Sequence, residues 1–249
     1  VVGCSRVSDG CRHCYAEALA ATRLKHTKRY EGLAIVTESG KPQWTGKARL
    51  SVDAIEQVIR RQKPRRIFLT AMGDPFHESL SNEQIAALFG LMAVCPQHTF
   101  QVLTKRAKRM REWFAWAAAQ IKIGGEDGSW TPFARELVAM LDDAKLATRI
   151  NEDSIARAPS DEAWPLPNVW LGVSVEDQRA ADERIPELLS TPAAVRFLSC
   201  EPLLGPRRGR RARRLRAHRL GDRRRRERAQ RAAVRPGVGV RAHRSVRVG

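Results

Sequence analysis

Short apolar strands alternate with helical segments along residues 1–206, and this alternation restricts the fold more than any other feature of the sequence. Neighbouring parallel strands need a crossover between them, which a helix usually supplies. Strands are predicted at 66–70, 99–104, 169–175 and 194–199. Helices are predicted at 12–27, 52–62, 82–94, 105–121 and 177–189, with Ser81 and Gln84 forming a capping box before the third. The pattern indicates parallel βαβ units.

We therefore predict an α/β domain over residues 1–206, built as a whole or partial (β/α) barrel. A doubly wound sheet is the alternative, because periodicity alone does not separate the two folds. Residues 124–163 are polar and interrupted by glycine and proline, which predicts an insertion with a helix at about 133–146. The sequence begins with Val1, directly before a cysteine, so we expect N-terminal residues to be missing.

The positive charge of the chain is concentrated at its C-terminal end. Residues 207–249 contain 18 arginines and two acidic residues, whereas residues 1–206 contain 27 basic and 25 acidic residues. This tail lacks the periodicity of a buried element and is predicted to be disordered. It is interpreted either as an arginine-rich arm that binds nucleic acid or as the product of a frame shift in a GC-rich gene.

Three cysteines lie close together near the start of the chain, at Cys4, Cys11 and Cys14. Three thiolates can hold three irons of a [4Fe–4S] cluster and leave the fourth iron open to S-adenosylmethionine. A structural zinc site is the alternative and needs a fourth ligand. The candidates for that ligand are His13, His26, Cys95 and Cys200. Unrelated thiols are the remaining interpretation. The apolar surroundings of Cys95 and Cys200 favour core positions for both.

Polar residues and one glycine lie at the end of each predicted strand or just after it, where a parallel barrel collects its ligand-binding groups. They are Gly73 and Asp74 at the first strand, Thr104, Lys105 and Arg106 at the second, Ser174 at the third and Glu201 at the fourth. We expect them to converge on one rim, where Asp74 accepts hydrogen bonds from an amine or a ribose hydroxyl. Simpler roles are a solvated first turn for Lys105 and Arg106, a turn for His77 and a helix cap for Asp177.

Five blocks of sequence resemble a phage and bacterial family of three-cysteine proteins of unknown function. The blocks are GCSRVSDGCRHCYAE, PRRIFLTAMGDPFHE, PQHTFQVLTKR, WPLPNVWLGVSVEDQ and RFLSCEPLLGP. That family is distantly similar to radical S-adenosylmethionine enzymes, the spore photoproduct lyase branch especially. The cysteine spacing is longer than the CxxxCxxC of those enzymes. The resemblance ends at Pro206.

The resemblance implies a partial barrel of the radical S-adenosylmethionine type, incomplete at both ends. It implies that Cys4, Cys11 and Cys14 hold the cluster and that Gly73 and Asp74 approach the methionine part of S-adenosylmethionine. It also implies that Thr104, Lys105, Ser174 and Glu201 line the same mouth. The expected substrate is a nucleic acid or nucleotide. A separately encoded partner protein is also expected.

Zinc-dependent or arginine-tail nucleic-acid binding without catalysis is the alternative function. An open cluster needs a reducing compartment, so we expect a cytoplasmic protein without a membrane span.

Overall fold

The computed structural model describes residues 1–124, 131–150, 165–204 and 246–248. The main sheet contains β3 (Arg66–Phe68), β4 (Thr99–Thr104), β5 (Val169–Ser174), β6 (Val195–Ser199) and β7 (Val246–Val248). Strands β3 to β6 are parallel and lie in chain order, and β7 pairs antiparallel with β6. A separate antiparallel hairpin pairs β1 (Ala34–Val36) with β2 (Pro42–Trp44).

The helices in chain order are α1 (Tyr15–Ala21), α2 (Val52–Ile59), α3 (Asn82–Val94), α4 (Ala107–Gly124), α5 (Thr131–Met140), α6 (Ala144–Arg149) and α7 (Gln178–Leu189). Helices α3 to α7 connect the parallel strands β3 to β6, as the sequence predicts. The predicted capping box is confirmed, because the Ser81 side chain accepts from the Gln84 backbone N–H and the Gln84 side chain accepts from Ser81. Asp177 caps α7 by accepting from the Ala180 backbone N–H at 2.7 Å.

The parallel α/β sheet is confirmed, but the described residues do not close into a barrel. The strand order from β3 to β6 contains no reversal, whereas a doubly wound sheet has a switch point at which the order reverses. The chain start extends the same edge, since Gly3 forms a parallel bridge with Gly73 after β3. Val2 forms an antiparallel bridge with Arg49.

The main hydrophobic core lies between one face of the sheet and helices α3, α4, α5 and α7. Alternation along β4 directs Phe100 and Val102 into this core and leaves Gln101 and Leu103 on the opposite face. That opposite face carries the cavity described below. Cys95 is buried in the core as predicted, and Cys200 is partly buried against it.

The predicted insertion contributes to the core. Its described part forms α5 and α6 rather than one helix, and Phe133 and Leu137 of α5 are buried. Helix α5 packs so closely on α3 that a Cβ atom at Gly90 would overlap the Phe133 carbonyl group. Residues 125–130 and 151–163 of the insertion lie outside the described residues.

The predicted disordered tail lies outside the described residues except for 246–248, which form β7. The structure therefore differs from the prediction at those three residues. Among the described residues, no helix combines the length and the apolar character needed to cross a membrane.

His98 is a buried polar side chain whose replacement we expect to stabilise the protein. The residue is 1 % exposed, and neither ring nitrogen has a hydrogen-bond partner among the described residues. Because an unpaired buried polar group carries an uncompensated desolvation cost, His98→Leu should raise the free energy of unfolding by about 1 kcal/mol. Urea denaturation measures the change, and His26→Leu at an exposed position is the matched control. A lower stability of His98→Leu would contradict this prediction.

Candidate functional site

The three cysteines lie on one loop, residues 4–14, which we call the cysteine loop. Cys4 follows the bridged segment at the chain start, Cys11 ends a 3₁₀ turn, and Cys14 immediately precedes α1. Cys4 and Cys14 both pack against a small apolar cluster beneath the loop. That cluster consists of Val2, Ala16, Ala20, Tyr30, Leu33 and Trp44. Because Gly3, just before Cys4, pairs with Gly73 after β3, the loop begins beside the carboxyl end of that strand.

The cysteine side chains contact different neighbours. The Cys4 Sγ lies 3.7 Å from Arg106 Nη1, and the Cys11 Sγ lies 3.7 Å from Ser8 Oγ. All three cysteines are partly buried free thiols. Within the described ranges, no three or more His, Cys, Asp or Glu side chains form a group that could hold a metal ion. The fold thus brings the predicted ligands onto one loop without gathering their side chains into a metal-binding group.

Burial strongly disfavours the thiolate form of Cys4. It raises the pKa of Cys4 to about 11, the negative charge of Asp74 adds to the increase, and Arg106 partly opposes it. The thiol is therefore protonated at neutral pH. A metal bound at Cys4 would have to displace this proton, as metal binding to thiols generally does.

Arg106 connects the cysteine loop to the residues that follow β3. Its side chain is 4 % exposed, with Nη1 3.1 Å from Asp74 Oδ2 and Nε 2.8 Å from Glu78 Oε1. Its Nη2 donates to Ser5 Oγ at 2.7 Å. The sequence analysis expected Arg106 either among the ligand-binding residues of the rim or in a solvated first turn. In the structure the carboxylates of the chain itself bind it.

Asp74 is buried, and donors of the chain occupy both of its carboxylate oxygens. The Thr104 hydroxyl donates to Oδ1 at 2.7 Å, and the Phe76 backbone N–H donates to the same oxygen at 2.9 Å. The Lys105 backbone N–H and Arg106 donate to Oδ2. Asp74 and Thr104 therefore hold the strand ends together, and a ligand amine or ribose would have to compete with these contacts.

Gly73 allows a close approach of backbone, but the approaching group belongs to the chain. A Cβ atom at position 73 would lie 2.8 Å from the Gly3 carbonyl oxygen. The sequence predicted that Gly73 would admit a ligand. The structure uses the missing side chain to let the start of the chain pair beside β3.

Lys105 contacts the other side of the cysteine loop. Its Nζ lies 3.2 Å from Ser8 Oγ and 3.2 Å from Glu176 Oε1, and Glu176 also pairs with Arg184 at 2.9 Å. Burial acts to raise the pKa of Glu176, but the Ser8 hydrogen bond and the two cations outweigh it and lower that pKa. Gly10 leaves the room for Lys105, because a Cβ atom there would lie 2.7 Å from Nζ.

A cavity of about 690 Å³ opens on the sheet face opposite the core. Its wall includes Ser174 and Glu201, so two of the predicted ligand-binding residues do share one site. Tyr15, the residue after Cys14, forms part of the same wall, and its hydroxyl donates to the Ala71 carbonyl at 2.7 Å. The rest of the wall is Phe68, Gln101, Leu103, Phe197, Leu198, Ser199 and Pro202. The cysteine loop and the cavity are thus adjacent through Tyr15.

The predicted site residues fall into two groups. Ser174 and Glu201 line the cavity, whereas the residues at the end of β4 and after β3 and β4 contact the cysteine loop or its neighbours. This second group is Gly73, Asp74, Thr104 and Lys105. His13 is exposed on the loop. His77 is a turn residue whose Nε2 lies 3.0 Å from Ser5 Oγ, and burial lowers its pKa, with Arg106 adding to the decrease.

Nothing in the sequence indicated that Tyr15 forms part of the cavity wall or that Arg6 pairs with Glu17. Glu17 is buried at the start of α1, where Arg6 Nη2 lies 2.6 Å from its Oε2 and the Trp44 backbone N–H donates to its Oε1. An acid in the buried face of a helix signals such a buried pair. The partner of that acid lies across the loop, and no periodic pattern indicates it.

Comparison with known proteins gives a family assignment. The chain matches, over residues 1–212, the family described as "Protein of unknown function (DUF5131)". This confirms that the chain belongs to a family of unknown function. Nothing in the match links that family to radical S-adenosylmethionine enzymes or to spore photoproduct lyase. No curated protein and no solved structure matches the chain. The match covers most of the chain, and the protein therefore belongs to the DUF5131 family.

Proposed function

We propose that the cysteine loop binds an iron–sulfur cluster and that the adjoining cavity binds S-adenosylmethionine, in a partial barrel of the radical type. The observation that carries the proposal is the position of Tyr15, which follows Cys14 and forms part of the cavity wall. A group held by the cysteines and a ligand held by the cavity would therefore be neighbours. The cavity wall includes Ser174 and Ser199 at the carboxyl ends of β5 and β6, where parallel α/β folds place small-molecule sites.

The donor set suits iron and sulfide. Cys4, Cys11 and Cys14 would be the ligands, while Cys95 is fully buried in the core and Cys200 packs against it. A bound cluster would supply an electron and one open iron for the amino and carboxylate groups of S-adenosylmethionine. Because the three sulfurs do not form a preassembled group, binding requires the loop to move its side chains together.

The residues of the cavity would bind and orient the ligand. The Glu201 carboxylate accepts hydrogen bonds from hydroxyls or amines, Gln101 both donates and accepts, and the rings of Phe68 and Tyr15 offer apolar surface to a purine. A nucleic acid or nucleotide as the substrate is proposed from the sequence resemblance. We also propose a separately encoded partner protein, again from the sequence resemblance.

Anaerobic reconstitution with iron and sulfide tests the proposal. Wild-type protein should bind both, with a broad visible absorbance, and then retain S-adenosylmethionine in equilibrium dialysis. Cys4→Ser, Cys11→Ser and Cys14→Ser should each lose most of the bound iron, because each removes one of three ligands. Cys200→Ser is the matched control and should bind iron and sulfide as the wild type does. Full cluster formation in the double variant Cys11→Ser/Cys14→Ser would overturn the proposal.

A zinc site is the second candidate, favoured by His13 on the same loop as the three cysteines. Three thiolates and one imidazole form a common structural zinc set. Stoichiometric zinc that excludes iron, and that is lost in His13→Ala, would support it over the cluster. Nucleic-acid binding by residues 207–249 stays a prediction from their charge.

A further inference from the structure

The sheet face opposite the main core, which we call the open face, carries aromatic and cationic side chains. Helices pack on the core face, so the strand positions that alternate with core residues lie on the open face. On β3, Ile67 packs against the core, which leaves its neighbours on the open face. On β5, Trp170 lies there beside the core residue Leu171. The open face includes Arg66, Phe68, Gln101, Leu103, Trp170 and Phe197.

Arg66 and Phe68 offer flat surfaces at two successive positions of this face. Arg66 is exposed and reaches across β4, where its Cζ lies 5.3 Å from the centroid of the Trp170 ring. A nucleobase stacks on a guanidinium plane as it does on an aromatic ring. Phe68 is 43 % exposed and forms part of the cavity wall. The stacking surface therefore continues from the start of β3 into the cavity.

A third ring forms the floor of the cavity. Phe197 lies across β5 at Gly172, where a Cβ atom would come within 2.5 Å of the ring atoms. The missing side chain at position 172 lets the ring lie directly on the strand backbone. Phe197 is 6 % exposed and belongs to the cavity wall. The cavity thus adds an aromatic floor to the stacking surface.

The segment before and at the start of β3, residues 60–66, is strongly basic, and we call it the basic loop. Its sequence RRQKPRR contains five basic residues and no acidic residue. Arg60 is paired, because its Nη2 lies 2.6 Å from Asp143 Oδ2. The other four are exposed and form no ion pair with any carboxylate in the part of the chain that the structure describes. They are Arg61, Lys63, Arg65 and Arg66.

We propose that the basic loop and the open face bind single-stranded nucleic acid, with phosphates on the loop and bases stacked on the face. Charged grooves combined with exposed rings are how proteins hold single strands, whose bases are free to stack. The unpaired cations run directly into the rings, because the loop ends at Arg66 on β3. An acidic peptide or an anionic membrane would use the charges alone. This inference rests on the nucleic-acid part of the proposed function and not on the cysteine loop.

Base-dependent binding tests the stacking surface. The full chain, without added iron or sulfide, is titrated into a fluorescent oligothymidylate about 10 nucleotides long and into an abasic strand of the same length. Wild-type protein should bind the oligothymidylate about tenfold more tightly, because stacking adds to the phosphate contacts. Phe68→Leu and Arg66→Gln should each lose most of this preference. Ile35→Ala, at a position that is 50 % exposed on β1, is the control and should keep it.

The salt dependence of binding tests the basic loop. The triple variant Arg61→Gln/Lys63→Gln/Arg65→Gln should make the slope of log K against log salt shallower by about 2, because each phosphate contact on a single strand contributes about 0.7. The control triple variant Arg23→Gln/Lys25→Gln/Lys28→Gln removes the same number of exposed charges between α1 and β1, and it should leave the slope unchanged. The arginines of residues 207–249 are present in both variants, so their contribution cancels in the comparison.

Photocrosslinking of an oligonucleotide that contains 5-bromouracil locates the bound strand. Mass spectrometry should find the cross-links on peptides that contain Phe68 or Trp170. Cross-links confined to residues 207–249, equal affinity for the two strands, or equal loss of slope in the two triple variants would overturn the inference. Base-dependent binding by a chain that forms no cluster would overturn the cluster part of the proposed function alone. A cluster without base-dependent binding would overturn this inference alone.

Discussion

Asp74→Ala should lower the free energy of unfolding by about 3–5 kcal/mol, because it leaves a buried guanidinium without its main counter-charge. The Arg106 side chain is 4 % exposed and the Asp74 side chain 8 % exposed, so water cannot replace the lost contact. Glu78 still pairs with Arg106, but its side chain is 63 % exposed and compensates weakly. The Thr104 hydroxyl and the Phe76 backbone N–H lose their acceptor in the same variant.

Urea denaturation followed by circular dichroism measures this loss, and Asp53→Ala is the matched control. Asp53 forms an ion pair with Arg29, but its side chain is 58 % exposed, so its removal should cost about 1 kcal/mol or less. Asp74→Asn keeps the shape of the side chain and removes the charge, and we expect it to lie between the control and Asp74→Ala. Equal effects of Asp74→Ala and Asp53→Ala would show that Arg106 does not depend on Asp74.

Phe133→Ala should destabilise the protein by about 3–5 kcal/mol, the usual effect of removing a large buried ring. Phe133 is 2 % exposed, and its ring centroid lies 6.1 Å from that of Trp113 and 6.3 Å from that of Trp116. The sequence places Phe133 in a polar insertion, where truncation would have little effect. The prediction therefore tests whether α5 is part of the core.

Phe68→Ala is the matched control for Phe133→Ala, because it removes the same ring from a residue that is 43 % exposed. We expect it to cost clearly less than Phe133→Ala, since partly exposed positions lose less packing. The midpoint of urea denaturation gives the change in the free energy of unfolding for both variants when the dependence of that free energy on urea concentration is unchanged. A destabilisation by Phe133→Ala no larger than that by Phe68→Ala would show that α5 is not part of the core.

The local elements of this fold could be predicted because each rests on a short-range signal. Strand β4 has the predicted bounds, and α3 begins after the predicted capping box of Ser81 and Gln84. Helix α1 is shorter than the predicted segment 12–27, since it begins at Tyr15 and ends at Ala21. The β1–β2 hairpin was missed, since strands of three residues carry too little alternation to be recognised.

The candidate site could be predicted only in part. The sequence located the polar residues at the strand ends, and the fold does place Ser174 and Glu201 in one cavity. The sequence could not show that the Asp74 carboxylate is already bound by Thr104 and Arg106, because strand register brings those residues together. For the same reason the role of Gly73 as the neighbour of Gly3 was not foreseen.

The sequence alone determined the alternation of strands and helices, the helix caps and the placement of three thiols on one loop. These features depend on residues a few positions apart, so periodicity and spacing record them. Only the tertiary structure decided that Lys105 and Arg106 hold opposite limbs of that loop and that α5 belongs to the core. Those contacts join residues far apart in the chain, and their geometry follows from sheet order and helix packing, which no local pattern specifies.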